Sequence, residues 1–363
     1  MRSRAASVLV VDDSATVRQV VCDLVAGSGD FSVAGTAIDG LEAIRKVHAL
    51  DPDVVTLDIQ MPELDGVQVL GYIMSEVPRP VIMLSALDGG VTGEQTMRAL
   101  ELGAVDFVHK SDASGTDARA FGERLLAALR GALAANVAAL PVLARPPRGK
   151  RPSSRPVPVP ARYVVAMAAS TGGPRALAEI VPALPAELAA AVVIVQHLPS
   201  GFTSSLAQRL DRLSALRVAE AVDGEPLLEG RAYVAPGGRH ISIRVENGRG
   251  FVRLSDEAPL WGMKPAADVL FQSLAETFGP RAVGIVLTGM GQDGAQGLRA
   301  MRSAGAFAIV QDRASSAVYG MPQMALRTAG ADLELAAGAI AAAVTERVAA
   351  LASVTGDVPR LSS

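Results

Sequence analysis

The stretch YVVAMAASTGGPRALAEIVPAL (residues 163–184) decides the fold of the second half of the chain. Its first seven residues are apolar throughout, the pattern of a strand covered on both faces rather than one with a wet side. Its last ten read as a helix, and Pro174 suits the first turn because its missing N–H costs nothing there. Between them, Gly172 and Gly173 let the backbone turn sharply. Ser170 therefore stands on a strand–turn–helix corner, close to the G-x-S-x-G elbow that exposes a nucleophilic hydroxyl, with Ala168 where the first Gly would be. Taken alone, Ser-Thr-Gly-Gly reads equally well as a cap over an anion-binding helix start.

Working outward, the same pattern recurs. AVVIVQ (191–196), RAYVA (231–235), AVGIVLT (282–288) and AFAIV (306–310) follow; VLVV (8–11), FSVAGTA (31–37), VVTL (54–57), VIML (81–84) and VDFV (105–108) precede. Apolar runs separated by helix-length segments argue for parallel sheets with helices on both faces, where ligands gather at the carboxyl ends of the strands. The two sets are parted by PVLARPPRGKRPSSRPVPVP (141–160), with seven prolines, five basic residues and no acid. Such a segment buries too little to fold and extends at ~3.1 Å per residue. The 363 residues thus read as an α/β domain over 1–130, a linker over 131–161, a second α/β domain over 162–355 and a tail over 356–363.

Composition excludes several classes. A net charge of −3 and the absence of a basic helix-turn-helix give no sign of a nucleic-acid partner. One cysteine, Cys22, cannot build a disulfide framework and fits a reducing compartment. The run VLVV is too short for a signal peptide, and no apolar stretch reaches the ~18 residues of a membrane span. The expectation is a soluble, cytoplasmic protein.

In the first half, polar groups stand at strand ends: Asp12 and Asp13 after the first, Asp58 after the third, Ser85 after the fourth, Lys110 after the fifth. Clustered carboxylates repel unless a hard cation sits among them, and oxygen-only ligation suits Mg²⁺. A cation beside Asp58 would neutralise an incoming phosphoryl group and leave that carboxylate as nucleophile, with Ser85 and Lys110 holding phosphoryl oxygens. Residues 5–130 resemble the response-regulator receiver family through Asp12–Asp13, LDIQMPELDG (57–66), Ser85-Ala86 and Lys110. The resemblance implies a flavodoxin-like fold and transfer of phosphate to Asp58 from a histidine kinase. It also implies Mg²⁺ held by Asp13, Asp58 and the Gln60 carbonyl, with Asp12 acting through water, and a switch pair of Ser85 and Phe107. Ser111 departs from the proline usual after the lysine.

In the second half, Ser170 needs a base, and the chain has four histidines. His48 and His109 lie in the first domain. His197 directly ends AVVIVQ, as Ser170 ends its own strand; His240 follows the Pro-Gly-Gly turn at 236–238 and opens a hairpin strand, a place on the rim. His197 is the preferred base and His240 its rival. For the orienting carboxylate, AVGIVLTGMGQDGAQGL places Asp293 past another strand end, with Asp312 as rival and Asp268 in a helical segment. Gly289, Gly291 and Gly294 would free main-chain N–H groups for an oxyanion hole, with Met290 supplying one and Thr171 another.

The set ASTGGP (169–174), QHLPSGFT (196–203), YVAPGGRH (233–240), ADVLF (267–271), VLTGMGQDGAQGL (286–298) and YGMP (319–322) resembles the catalytic domain of the chemotaxis protein-glutamate methylesterases, the CheB family. That resemblance implies a doubly wound parallel-sheet domain and a phosphorylation-activated serine esterase. It would hydrolyse γ-methyl glutamyl esters on chemoreceptors and deamidate receptor glutamines, with no cofactor for the ester chemistry. It implies, too, that the unphosphorylated receiver covers the catalytic cleft. Ala166 and Ala168 replace common glycines, Lys264 a common arginine, and Arg313 a common acid. A binding protein on a degenerate hydrolase fold is the rival reading; the presence of Ser170, His197 and Asp293 together speaks against it.

Overall fold

The computed structural model describes residues 5–85, 91–110, 118–137 and 158–354. Most of the 131–161 linker, all of the 356–363 tail, and the positions Ala86 and Ser111 fall outside the described residues. The chain divides into two compact units, Met1–Ala144 and Arg145–Ser363.

The first unit is a five-stranded parallel sheet in the order β2-β1-β3-β4-β5. The strands are β1 (Ala6–Val11), β2 (Phe31–Ala37), β3 (Val54–Asp58), β4 (Val81–Ser85) and β5 (Asp106–His109). Helices α1 (Ala15–Gly27), α2 (Gly40–Leu50), α3 (Gly66–Glu76), α4 (Val91–Leu102) and α5 (Ala118–Leu133) alternate with them. This is the flavodoxin-like order, whose ligand crevice opens where the winding reverses beside β1 and β3. Local sequence sets the helix starts. Ser14 caps α1, Asp39 caps α2, and Asp65 forms a reciprocal capping box with Gln68 on α3. Gly66 has a steric reason as well: a Cβ there would lie 1.9 Å from the Asp58 carbonyl oxygen. The α3 start is thus pressed onto the end of β3.

The second unit holds seven parallel strands in the order β14-β13-β12-β6-β7-β9-β8. They are β6 (Val164–Ala169), β7 (Ala191–Gln196), β8 (Arg217–Glu220), β9 (Arg231–Val234), β12 (Ala282–Val286), β13 (Phe307–Gln311) and β14 (Leu333–Leu335). The chain starts at the centre with β6, winds out through β7 toward β9 and β8, then returns to lay β12, β13 and β14 on the other side. β6 and β12 therefore flank the switch point of a doubly wound sheet. Every residue of β6, β7 and β12 is buried, which explains their unbroken apolar runs. A separate hairpin pairs β10 (His240–Glu246) with β11 (Arg249–Ser255). Its turn, Asn247-Gly248, takes positive φ at both residues, the geometry that matches strand twist. The helices are α6 (Gly173–Ile180), α7 (Phe202–Leu213), α8 (Ala267–Thr277), α9 (Ala295–Ser303), α10 (Gly320–Ala329) and α11 (Ala337–Val354). None of the helices among the described residues is long and apolar enough to cross a membrane.

Candidate active site

The ladder between β6 and β7 ends at the pair Ala169 and Gln196, so Ser170 and His197 leave neighbouring strands side by side. The His197 N–H donates to the Ala169 carbonyl at 3.0 Å, holding the two exits about one strand spacing (~4.8 Å) apart. On the opposite flank, the Ser170 N–H donates to the Thr288 carbonyl beyond β12 at 3.0 Å. Gly289 packs so tightly there that a Cβ would come within 2.7 Å of Ser170 Cβ.

His197 Nε2 lies 2.7 Å from Asp293 Oδ2, and both side chains are almost fully buried. An ionised carboxylate only accepts, so Nε2 carries the proton. Nδ1 is buried and has no hydrogen-bond partner among the described residues. In the neutral ring it is the basic nitrogen. The imidazole is thus turned the opposite way from the serine-protease arrangement, where Nδ1 faces the aspartate.

Asp293 has a second task. Ala266 stands at the N-cap of α8 and offers no side-chain cap. Asp293 supplies it: the Ala267 N–H donates to Oδ2 at 2.6 Å, and the Asp268 and Gly294 N–H groups donate to Oδ1 at 2.9 Å each. Burial opposes ionisation of this carboxyl. The bonds from His197, Ala267 and Asp268 outweigh it and hold the group below its ordinary value.

The rivals are committed elsewhere. His240 is not on a rim as expected but 1% exposed. Its Nδ1 accepts the Ala266 N–H at 3.2 Å and its Nε2 pairs with the Ala258 carbonyl at 3.1 Å, so both nitrogens are spent on bracing the approach to α8. Asp312 accepts the Ser315 N–H and hydroxyl, a local turn cap. Asp268 accepts Trp261 Nε1 at 2.8 Å and the Gly297 N–H at 2.7 Å, while burial raises its carboxyl. Of the three glycines expected to free their amides, Gly289 donates to Val318 and Gly294 to Asp293. Met290 stands exposed between Gly289 and Gly291 (φ +96°), and the Thr171 carbonyl accepts Thr288 Oγ1 at 2.9 Å. Arg313 stacks over the Tyr319 ring at 4.5 Å, and Lys264 donates to the Asp256 and Glu257 carbonyls.

Sequence reasoning missed Gln196, Gln311 and Thr288. Gln196 Nε2 donates to the Ser170 carbonyl, and Gln311 Oε1 accepts the Thr288 N–H. A signal existed: two apolar strands, AVVIVQ and FAIVQ, each end in glutamine at the carboxyl edge of the sheet.

In the first unit, Asp12 and Asp58 are buried and Lys110 Nζ lies between them, 2.8 Å from Asp12 Oδ2 and 2.7 Å from Asp58 Oδ2. Among the described residues neither oxygen has a hydrogen-bonded donor apart from that ion pair. The Gln60 N–H donates to Asp58 Oδ1 at 3.2 Å and the Ser14 N–H to Asp12 Oδ1 at 2.9 Å. One carboxylate oxygen from each of Asp12, Asp13 and Asp58 lies within 4.8 Å of the other two. An all-oxygen set with under-satisfied buried carboxylates fits a small hard dication. Burial pushes the Asp58 carboxyl up to about 6, against the pull of Lys110 and with a push from Asp12. Ser85 Oγ is buried 3.2 Å from Thr96 Oγ1, and Phe107 is buried on β5.

Residues 8–116 match the response regulator receiver domain family and residues 165–344 the CheB methylesterase family. The protein-glutamate methylesterase/protein-glutamine glutaminase of Pyrococcus abyssi is 41% identical over 339 residues, covering 92% of this chain and 90% of its own. Its counterpart in Geobacillus kaustophilus is 43% identical over 345 residues, covering 94% and 98%. The crystal structure of the Thermotoga maritima CheB methylesterase catalytic domain is 38% identical with a TM-score of 0.51; it aligns with 52% of this chain and 99% of that domain. Fold and matches together define a response regulator whose effector half is a parallel-sheet α/β methylesterase domain. The chain belongs to the CheB methylesterase family.

Proposed function

We propose that the protein is a phosphorylation-activated serine esterase that hydrolyses glutamate methyl esters on the cytoplasmic domains of chemoreceptors, and deamidates glutamines there, resetting receptor signalling in the cytoplasm. The observation that carries this reading is the buried 2.7 Å His197–Asp293 pair on the strand exit beside Ser170.

Ser170 Oγ attacks the ester carbonyl carbon while His197 Nδ1 takes its proton. Asp293 holds the Nε2–H tautomer and stabilises the imidazolium. The Thr171 and Met290 N–H groups face the developing oxyanion, a contribution of about 3–4 kcal/mol per donor. Collapse breaks the bond to methoxide, which leaves as methanol with the proton from His197. Water, deprotonated by the same imidazole, then attacks the acyl-enzyme and releases the glutamate. With a glutamine, ammonia is the leaving group.

Control rests with Asp58, the acceptor for a phosphoryl group from a histidine kinase. Asp13, Asp58 and the Gln60 carbonyl, with Asp12 through water, would hold Mg²⁺, which when bound offsets the phosphoryl charge. Lys110 and Ser85 bind phosphoryl oxygens, and Ser85 with Phe107 forms the switch pair. The domain limits are 1–130 for the receiver, 131–161 for the linker and 162–355 for the esterase.

Methanol release from methylated receptor, with and without a small-molecule phosphodonor, tests the whole. Turnover that requires Ser170 and rises with phosphodonor is expected. Undiminished turnover by Ser170→Ala would overturn the mechanism.

A further inference from the structure

The β6–β7 ladder ends at the pair Ala169 and Gln196; past it the His197 and Ser170 N–H groups are still held by neighbouring strand ends, but the Ser170 carbonyl lies in the gap beyond the last rung. The side chain of Gln196 turns back over that gap. It is 1% exposed; its Nε2 donates to the Ser170 carbonyl at 2.9 Å and lies 3.4 Å from the His197 carbonyl. The Ser170 oxygen also accepts the Gly173 N–H at 2.8 Å, which uses both of its lone pairs. A trans peptide is planar, so anchoring the carbonyl on one edge aims the Thr171 N–H from the opposite edge. Donation to that carbonyl also polarises the same amide.

The other end of the carboxamide argues that this arrangement is functional rather than a packing convenience. Gln196 Oε1 is buried with no hydrogen-bond partner among the described residues, pressed so close to Gly173 that a Cβ there would lie 2.0 Å away. An unsatisfied buried amide oxygen costs free energy that a methionine of similar volume would not incur. The glutamine is worth that cost only for what its N–H groups hold.

We infer that Gln196 is a positioning residue for the ester chemistry, locking the Ser170–Thr171 peptide so that the hydroxyl faces His197 and the Thr171 N–H faces the developing oxyanion. The inference rests on the reading of Ser170 as nucleophile. It goes beyond that reading, because it assigns a residue that never meets the substrate.

The test uses the full-length protein, a peptide carrying γ-methyl glutamate, and a fluorophosphonate that labels active serines. Gln196→Met is expected to lower kcat about ten- to hundredfold with KM unchanged, as a misplaced nucleophile does, and to slow fluorophosphonate labelling of Ser170 by a similar factor. Gln196→Glu adds a readout that packing alone would not move. A protonated carboxyl can still donate to the Ser170 oxygen, whereas a carboxylate repels it. The kcat ratio of Gln196→Glu to wild type should therefore fall as pH rises, while that of Gln196→Met stays flat. A Gln196→Met kcat within about twofold of wild type, or a loss confined to KM, overturns the inference. If Gln196→Met does not fold, Gln196→Glu decides, and a pH-independent ratio overturns it. Ser170→Ala is run in parallel: if it still turns over, the nucleophile reading has failed; if it is dead while Gln196→Met keeps kcat within about twofold of wild type, only this inference has.

Discussion

At the residue scale, three side chains make up the candidate site. The neighbouring strand-end positions of Ser170 and His197 were legible because each follows an apolar strand. The place of Asp293 was legible, but not its partners. The carboxylate is shared between an imidazole and the start of a helix 25 residues earlier in the chain, and no spacing rule reports that. If Ser170, His197 and Asp293 act as a triad, Asp293→Asn should cost roughly 10⁴-fold in kcat, measured by methanol release. A stability effect should accompany it. The folded carboxyl is held below its unfolded value of ~3.9, so its contribution is complete above that pH and is lost as pH falls through the folded value. The gap in melting temperature between wild type and Asp293→Asn should therefore be widest at pH 5 and above, and narrow toward pH 3. A pH-independent gap would count against an ionised Asp293. His240 shows the opposite failure of reading. A Pro-Gly-Gly turn suggested exposure, yet tertiary packing folded the hairpin inward and occupied both ring nitrogens.

At the scale of elements, the buried central strands were readable and the edges were not. β8 and β14, at the two edges of the large sheet, have four and three residues and are largely exposed, so they lack the apolar run that betrays a strand. Edge strands kept short and polar avoid pairing with other chains, and the same device hides them from pattern reading. The acidic end of β3 depends on an element junction in the same way. α3 can start where it does only because Gly66 lets its backbone touch the Asp58 carbonyl. Gly66→Ala should destabilise the receiver by about 1–3 kcal/mol through overpacking against main chain that cannot yield. If Asp58 is the acceptor, the variant should also be phosphorylated more slowly by a small-molecule phosphodonor, because the carboxylate moves. Denaturant midpoints and phosphoprotein yield check both, and a variant as stable as wild type would remove the steric argument.

At the scale of the molecule, each unit carries its own parallel sheet and its own buried core, and the linker between them has the composition of an extended spacer. Neither sheet needs the other to close. If Asp58 is a phosphoryl acceptor, joining it to an esterase in this way matters only if its chemistry alters turnover. Phosphate on Asp58 brings about −1.5 to −2 charges to a site where Lys110 already spans two buried carboxylates. If Asp58 is phosphorylated, Lys110 and Ser85 would have to re-pair, and re-packing at the carboxyl end of β4 and β5 would carry the signal out of the site. If the unphosphorylated receiver restrains the esterase, each ~1.4 kcal/mol of preference for the restrained state hides a factor of ten in activity. Two outcomes are then expected. Deleting residues 1–150 raises basal methanol release, and Asp58→Asn abolishes stimulation by a phosphodonor while leaving basal turnover in place. A deletion variant no faster than the unphosphorylated full chain would show that the receiver does not inhibit, and stimulation would have to come from activation by the phosphorylated form itself. Stimulation that survives Asp58→Asn would move the acceptor to another residue, with Asp12 and Asp13 next in line by position.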